Sequence, residues 1–277
     1  MLVVQNGCAA LEPHLPALVA RSVERLAPEG VLGRFDAKVR ALEGLPTEVV
    51  VLHGHVPDAV EVHDGVLTWR VEPRAGQKTG AFLDQRLNHR RLAAAARAYA
   101  PPGFRALDAF AYHGGFGLHL LRAGAGHVEL LDASATALDA ARAAAARNAL
   151  PEPSCTRADA FDRLRALDRE GARFEAISVD PPALAKRARD LERAMAGYKE
   201  LNLRALRLLA PGGVLGTSSC SAHLQDAEFL NVLADAAADA GRTVHVLGRW
   251  GAAPDHPERL GFPESRYLKF VLLRAVD

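Results

Sequence analysis

The amino-acid sequence predicts an α/β protein with a mostly parallel sheet, preceded by a small α+β region. From residue 105 onward, short apolar runs alternate with helical patterns, which is typical of helices packed on both faces of a parallel sheet. Before residue 76, two alternating runs are joined by Asp64-Gly65, a strong signal for a β-hairpin. A chain of 277 residues is long enough for about one or two domains. We therefore expect a small domain over 1–75 and a larger domain over 76–277.

The small domain is predicted from spacing and turn signals. Its elements are a helix over 11–27 and strands over 48–54 and 59–71, the last containing the hairpin turn. A helix over 84–100 follows, with Asp84 as its N-terminal cap and Pro101-Pro102 as its stop.

The larger domain is predicted to repeat strand and helix. Its predicted strands are 105–112, 127–133, 154–160, 174–182, 212–220, 243–250 and 267–274, and its predicted helices are 114–124, 134–149, 161–171, 190–209 and 224–240. Ligands bind such sheets at the carboxyl ends of the strands. The chemically active side chains expected there are Asp108, Asp132, Asp159, Asp180 and Cys220.

The turn after the first of these strands, DAFAYHGGFG at 108–117, indicates the kind of cofactor. Its glycines allow close backbone approach, but they lack the G-x-G-x-x-G spacing of dinucleotide-binding proteins. Asp108 would repel a pyrophosphate, so a cofactor without phosphate suits the turn better. S-adenosylmethionine carries a sulfonium, an amino group and ribose hydroxyls, all of which carboxylates favour. A methyltransferase is therefore preferred to a dehydrogenase.

Two further acids support this interpretation. Asp132 ends the second strand and is placed for hydrogen bonds to both ribose hydroxyls. Asp159 ends the third strand and could accept a hydrogen bond from the adenine amino group. Either acid alone could instead cap a helix, and for Asp159 both interpretations stay open.

Asp180-Pro181-Pro182 and Cys220 point to the chemistry of the target. Cys220 is expected beside Asp180 across the sheet. Carbon 5 of cytosine is a weak nucleophile, but addition of a thiolate to carbon 6 makes it enamine-like. An acid on the ring nitrogen and amino group promotes that addition, and the base must first leave its stack. On residue type alone, a small buried side chain is the favoured interpretation of Cys220, because cysteine is among the most buried residue types.

Several segments together resemble the bacterial 23S rRNA cytosine-5 methyltransferase family, which are class I S-adenosylmethionine-dependent enzymes. The similarity runs from about residue 28 to the C-terminus. The resemblance implies a Rossmann-like, seven-stranded methyltransferase sheet with a small β-rich domain before it. The segments are GQKTGAFLDQRLNHR, FAYHGGFGLHLLRAGA, VDPPALAK, GYKELNLRALRLLAPGGVLGTSSCS and DHPERLGFPESRYLKF.

The resemblance also implies roles for individual residues. Lys78, Thr79 and Gln85 would border the cofactor, Arg86 would help hold its carboxylate, and Cys220 matches the family's nucleophile. The expected catalytic pair is Cys220 and Asp180, and the expected substrate contacts are Pro181, Pro182 and Tyr198. The expected cofactor contacts are Lys78, Thr79, Gln85, Arg86, Asp108, Phe110, Gly114, Phe116, Gly117, Asp132, Ala133, Asp159, Ala160 and Asp180. No metal site is predicted, because His89, His113 and His119 lack metal-ligand spacing.

The chain departs from the family pattern at two points. Only some 27 residues precede the matched region, where family members commonly carry a PUA-type RNA-binding module. We therefore expect that module to be absent, and RNA binding to rest on the remaining domains or on a homodimer. Leu184 stands where the family has an aromatic residue. The alternatives are a guanosine or small-molecule methyltransferase that does not use Cys220, and a binding protein with a vestigial cleft.

Composition sets the outer limits. Apolar residues make up 49% and charged residues 24%, as in ordinary globular proteins. Neither a secretory signal nor a membrane-spanning stretch is predicted, and three scattered cysteines fit a reducing cytoplasm. The net charge is only +1, but the segment from Arg70 to Arg105 contains eight basic and two acidic residues. Such a segment could attract a polyanion such as rRNA or could be a solvated helix face.

Overall fold

The computed structural model describes residues 1–74, 82–185 and 187–277. The chain divides into two units, which are described separately. One unit comprises Met1–His63 and Trp69–Ala81, and the other comprises Asp64–Thr68 and Phe82–Asp277. Among the described residues, no helix is long and apolar enough to cross a membrane.

The first unit contains a three-stranded sheet whose first two strands, β1 and β2, the sequence did not predict. Strand β2 pairs in parallel with β1 and antiparallel with β3. All six residues of β2 are buried, but Gly30, Gly33 and Arg34 interrupt its apolar pattern. The predicted hairpin is confirmed as β4 and β5. The elements are β1 (Leu2–Val4), α1 (Leu15–Leu26), β2 (Gly30–Phe35), α2 (Lys38–Leu42), β3 (Glu48–Gly54), β4 (Val60–His63) and β5 (Thr68–Val71).

Helix α1 is shorter than predicted. Ala9–His14 form a 3₁₀-helix that contains Pro13. Proline has no backbone N–H and cannot continue an α-helical ladder. The α-helix therefore begins after it, with Pro16 in its first turn.

The second unit alternates strands and helices as predicted, with boundaries within about three residues of the expected ones. Strand β10 begins three residues before its predicted start, α6 begins one residue early and β12 ends one residue late. Its elements are α3 (Arg86–Tyr99), β6 (Arg105–Ala109), α4 (Gly115–Arg122), β7 (His127–Asp132), α5 (Ala135–Arg147), β8 (Ser154–Arg157), α6 (Ala160–Arg169), β9 (Phe174–Val179), α7 (Leu191–Leu208), β10 (Leu209–Ser219), α8 (Asp226–Ala240), β11 (Val244–Trp250) and β12 (Lys269–Ala275).

The sheet of this unit confirms the predicted fold class. Its seven strands have the order β11-β12-β10-β9-β6-β7-β8. Strand β12 is antiparallel to both of its neighbours, and the pairs from β10 to β8 are parallel. The strand order reverses between β6 and β9. In such sheets a ligand cleft forms outside the carboxyl ends of the strands at this reversal.

Helices cover both faces of the sheet. On one face, α6, α7 and α8 bury a continuous apolar core that includes Leu107, Ile177, Leu201 and Phe229. On the other, α3, α4 and α5 lie against β10 and β7. Full burial of each large apolar side chain contributes about 2 kcal/mol to folding. Because many such side chains pack on the sheet, the positions of the strand ends are fixed.

The turn between β4 and β5 belongs to this second unit. The carboxylate of Asp64 accepts hydrogen bonds from the backbone N–H groups of Val66 (2.9 Å) and Leu67 (2.8 Å). Its other oxygen lies 3.2 Å from Nε2 of His119 in α4. The side-chain amide of Asn148 exchanges two hydrogen bonds with the backbone of Thr68, at 2.9 and 2.8 Å. The turn is thereby fixed at both of its ends.

Burial by itself raises the pKa of Asp64, but hydrogen bonds from His119 and from the turn backbone outweigh it and hold the pKa below its ordinary value. The carboxylate is therefore ionised in the folded chain. A group with a lowered folded-state pKa stabilises the fold above its ordinary pKa, and this stabilisation disappears as the pH falls through the folded-state value.

We predict that Asp64→Ala lowers the free energy of unfolding of the second unit by about 3 kcal/mol at neutral pH, because it leaves a buried histidine without its partner. The difference from wild type should shrink as the pH falls below about 4. Urea unfolding followed by circular dichroism measures both effects. Asp139→Ala, which removes an exposed ion pair with Arg142, is the control and should cost less than about 0.5 kcal/mol. Equal losses in the two variants would contradict the prediction.

Candidate functional site

The turn between β6 and α4 has a strained backbone. Phe110 and Tyr112 adopt φ values of +64° and +49°, and Gly114 adopts +82°. Residues other than glycine rarely occupy this region, and such strain clusters at functional sites. The surrounding structure holds the turn in place: the N–H of Ala111 donates to the carbonyl of Leu131 at 3.0 Å. Phe110 and Tyr112 remain half-exposed at the end of β6.

The glycines after this turn are required by packing. A Cβ on Gly117 would lie 2.2 Å from Cδ2 of Leu130, and one on Gly115 would lie 2.6 Å from Cε1 of His89. Glycine therefore lets α4 lie directly against β7 and α3. Gly114 supplies the left-handed conformation that starts the helix.

Asp108, Phe116 and Ala160, all predicted cofactor contacts, are buried in this structure. Asp108 is only 1% exposed, and it accepts hydrogen bonds from the N–H of Gly117 (2.7 Å) and the hydroxyl of Ser178. Phe116 stacks on Phe270 at 5.9 Å. Their contact with the cofactor stays a prediction.

Burial raises the pKa of Asp108 to about 6, although the bonds from Ser178 and Gly117 oppose this. The carboxyl group joins β6 to α4 and to β9. Its role in this structure is to fix the position of the turn.

Asp132 lies at the end of β7 and is half-buried. Its two oxygens accept hydrogen bonds from the N–H groups of Ser134 and Tyr112, both at 2.8 Å. A carboxylate oxygen has two lone pairs, so each oxygen retains capacity for one further donor. The next residue, Ala133, is exposed.

Asp159 caps the N-terminus of α6, which is one of the two interpretations that the sequence left open. Its Oδ1 accepts hydrogen bonds from the N–H groups of Phe161 (2.9 Å) and Asp162 (3.2 Å). The rings of Phe161 and Phe110 meet edge to face, with their centroids 6.5 Å apart.

Carboxylate acceptors together with aromatic rings fit the ribose and adenine of S-adenosylmethionine, so the residues present match the predicted cofactor.

The predicted cofactor contacts from the KTGAFLDQR segment divide into two groups. Lys78 and Thr79 lie outside the described residues. Gln85 is buried, and its Nε2 donates to Asp180 Oδ1 (2.9 Å) and Ser218 Oγ (3.0 Å). Its Oε1 accepts from the amide of Asn88 at 2.7 Å. The side chain of Gln85 thus binds the ends of β9 and β10.

Arg86 stays a predicted contact to the carboxylate of the cofactor, whereas Asp84 differs from its predicted role. Arg86 forms an ion pair with Asp255 and donates to the carbonyl of Leu83 at 3.2 Å. Asp84 does not cap α3, whose N-cap is Gln85. Instead its carboxylate accepts a hydrogen bond from the hydroxyl of Tyr267 at 2.7 Å, because a 3₁₀ turn over Leu83–Gln85 precedes the helix.

Asp180 and Cys220 are neighbours across the sheet, as predicted. Val179, the last residue of β9, pairs with Thr217 in β10, so β10 continues two residues further, to Ser219, at the same edge of the sheet. The sulfur of Cys220 lies 3.8 Å from the carbonyl oxygen of Pro181. Asp180 and Cys220 are half-buried, Pro181 is buried and Pro182 is exposed.

The environment of Asp180 favours its protonated form. Burial and the negative charge of Asp84 raise its pKa to about 7, although hydrogen bonds from Gln85 and Ser218 act in the opposite direction. At neutral pH, a large fraction of Asp180 therefore carries a proton that it can donate to a bound base.

Tyr198 does not line a substrate entrance. Its side chain is 0% exposed, and its hydroxyl lies 2.9 Å from Oγ of Ser221. The same Oγ accepts from the N–H of Ala185 at 3.1 Å. Ser221 thus ties the Cys220 turn to the turn after Asp180 and to α7. Sequence reasoning missed this serine, although it is the last residue of the segment GYKELNLRALRLLAPGGVLGTSSCS.

Asp64, His89 and His119 form the cluster that most resembles a metal site among the described residues. Their ligand atoms all lie within 4.8 Å of one another. Nε2 of His119 lies 3.2 Å from Asp64 Oδ2, and Nδ1 of His119 lies 2.8 Å from the carbonyl of Gly115. These contacts hold the hairpin turn against α4.

Comparison with known proteins adds independent findings. The sequence model of the S-adenosylmethionine-dependent methyltransferase family matches residues 46–273. The chain is 39% identical over 262 residues to ribosomal RNA large subunit methyltransferase I of Aeromonas salmonicida and 40% identical over 264 residues to that of Aeromonas hydrophila. Each alignment covers 93% of this chain but 65% of the relative, so the chain spans somewhat less than two thirds of their length. The protein of the same name from Shewanella amazonensis is 38% identical over 278 residues, which cover 99% of this chain and 69% of that protein.

Solved structures show the same fold at low sequence identity. SMU.776 in complex with SAH has a TM-score of 0.82 and 18% identity, covering 98% of this chain and 68% of that one. TYW2 of Pyrococcus horikoshii in complex with MeSAdo has a TM-score of 0.59 and 14% identity, covering 96% of this chain and 85% of that one. The family match extends over most of the chain and agrees with the strand order and with the acid at the end of β7. The chain therefore belongs to the S-adenosylmethionine-dependent methyltransferase family.

Proposed function

We propose that this chain methylates carbon 5 of a cytosine in large-subunit ribosomal RNA, with Cys220 as nucleophile. The observation that carries the proposal is the placement of Cys220 beside a protonatable Asp180 at the ends of β10 and β9. The ribosomal RNA substrate is supported by the names of relatives that share 38–40% of their aligned residues with this chain. A protein that acts on this substrate would be located in the cytoplasm.

S-adenosylmethionine supplies an electrophilic methyl group when bound. Asp132 would accept hydrogen bonds from its ribose hydroxyls, since both carboxylate oxygens retain a lone pair. Phe110 and Phe161 would contact the adenine ring. Lys78 and Thr79 stay predicted cofactor contacts.

Cys220 would begin the reaction. Its thiolate forms a carbon–sulfur bond at carbon 6 of the flipped cytosine, which moves an electron pair toward carbon 5 and makes that carbon nucleophilic. Once carbon 5 is methylated, it loses its proton to water; the electron pair of that carbon–hydrogen bond re-forms the double bond, which breaks the carbon–sulfur bond and releases Cys220.

Asp180 would assist the addition. In its protonated form it donates a hydrogen bond to the ring nitrogen and so neutralises the charge that develops when Cys220 adds. Gln85 and Ser218 hold its carboxyl group in place. Pro182, exposed beside it, is the proposed contact to the target nucleotide.

RNA binding beyond the target base is proposed to rest on the remaining parts of this chain or on a homodimer. Size-exclusion chromatography with light scattering, in the presence and absence of RNA, tests this part of the proposal.

We predict that the purified chain transfers labelled methyl groups to unmodified large-subunit rRNA and that nucleoside mass analysis finds them in 5-methylcytidine. Cys220→Ala should lower the rate at least about 10³-fold, because it removes the nucleophile. Cys155→Ala, which removes a half-buried cysteine in β8, is the matched control and should keep activity. Label in a guanosine would contradict the cytosine proposal, and cofactor binding without any label would contradict the rRNA proposal.

We further predict that the alkaline side of the pH–rate profile reflects Asp180 and falls above about pH 7, since the protonated acid is the active form. Asp84→Asn removes a negative charge and should move this limb to lower pH by up to about one unit. Gln85→Leu removes a hydrogen bond to the carboxylate and should move it to higher pH. Single-turnover methyl transfer measures both shifts. Shifts in the same direction, or none, would show that another group controls this limb.

A further inference from the structure

Lys269 is a buried ammonium group beside the turn that carries Cys220. It is the first residue of β12 and only 3% exposed. In the sheet register it pairs with Ser219, the residue before Cys220. Its Nζ donates a hydrogen bond of 2.8 Å to the carbonyl of Ser221, the residue after Cys220. The lysine therefore contacts the turn on both sides of the cysteine.

This position is costly for a cation. Taking an ammonium group out of water costs several kcal/mol unless a nearby negative charge compensates. Within residues 1–74, 82–185 and 187–277, Lys269 forms no ion pair with a carboxylate. Burial lowers its pKa, while negative charge on Asp226 and on ionised Cys220 acts in the opposite direction. By the same interaction, the ammonium favours the thiolate over the thiol.

The turn cannot easily move away from this lysine. The carbonyl of Ser221 that binds Nζ also accepts the N–H of Leu224 at 3.2 Å. The hydroxyl of the same serine is held by Ala185 and Tyr198. The lysine head group and the cysteine turn are thus joined through one fully buried residue.

We propose that Lys269 is a positioning residue that holds the Cys220 turn and stabilises the thiolate of Cys220. The inference rests on the proposed function, because it supplies the reactive form of the proposed nucleophile. No oxidant or further reactant is needed: the thiol gives its proton to solvent, and the ammonium balances the remaining charge.

Other charged or titratable groups act at the same place. Tyr198 from α7 and Tyr267 from the segment before β12 face Cys220, and burial raises the pKa of both, so they stay neutral. Asp226 and Glu228 from α8 and Arg266 act on Lys269. Asp180 lies at the end of the neighbouring β9. Of these groups, Lys269 is the cation that donates a hydrogen bond to the turn carrying Cys220.

The test is the pH dependence of alkylation of Cys220 by iodoacetamide in the full chain, resolved from the other cysteines by peptide mass spectrometry. Exposed Cys8 serves as the internal reference. In wild type, the midpoint for Cys220 should lie below that for Cys8. Lys269→Met should raise the Cys220 midpoint by about one pH unit or more, and Lys269→Arg should restore most of it. Lys199→Met, on the exposed face of α7 and paired with Asp239, should leave the midpoint unchanged.

A wild-type midpoint at or above that of Cys8 would overturn the inference, as would an unchanged midpoint in folded Lys269→Met. If circular dichroism shows that Lys269→Met is unfolded, the Cys220 midpoints of wild type and of Lys269→Arg decide the test. Both should lie below the midpoint of Cys8, and a midpoint at or above it would overturn the inference. Alkylation requires no methyl transfer, so a low, lysine-dependent midpoint without 5-methylcytidine would support the inference and contradict the proposed function. Formation of 5-methylcytidine with an unshifted midpoint would do the reverse.

Discussion

The side-chain amide of Gln85 is the interaction on which the arrangement of the site depends. Its two N–H groups donate to Asp180 and Ser218, and its oxygen accepts from Asn88. One buried side chain therefore joins the start of α3 to the ends of β9 and β10. Parallel pairing brings those strand ends to the same edge of the sheet, with β10 two residues longer, but pairing alone does not fix the direction of a carboxyl group beyond the strand. The amide supplies that direction, and a buried amide with all three bonds made is costly to displace.

Much of the fold follows from the sequence because its strands are apolar runs and its helices have regular spacing. The neighbouring placement of Asp180 and Cys220 was predictable for the same reason, since each ends such a run. The burial of Asp108 could not be predicted, because a strand pattern shows that a residue is near the strand end but not where its side chain points. Strand β2 escaped detection because Gly30, Gly33 and Arg34 interrupt its apolar pattern, although all six of its residues are buried.

The roles of Asp84, Gln85 and Tyr198 could not be read from spacing, because their partners are distant in sequence. Asp84 binds Tyr267, 183 residues away, and Gln85 binds Ser218, 133 residues away. A resemblance can mark such residues as important, as it did for the KTGAFLDQR segment. It also assigned Gln85 and Arg86 to the cofactor, and that assignment stays a prediction. Only the folded chain shows their protein partners, which are Asp180 for Gln85 and Asp255 for Arg86.

The two reactive groups of the proposed mechanism need opposite protonation states although they are neighbours. Asp180 must keep its proton, and burial together with the charge of Asp84 favours this. Cys220 must lose its proton, and the ammonium of Lys269 on the other side of β10 favours that loss. The strand order makes the separation possible, because β9 and β12 flank β10 on opposite sides. Because β10 separates the acid Asp180 from the cation Lys269, the two can act on adjacent groups without neutralising each other. The antiparallel direction of β12 brings its first residue, Lys269, to the end of β10.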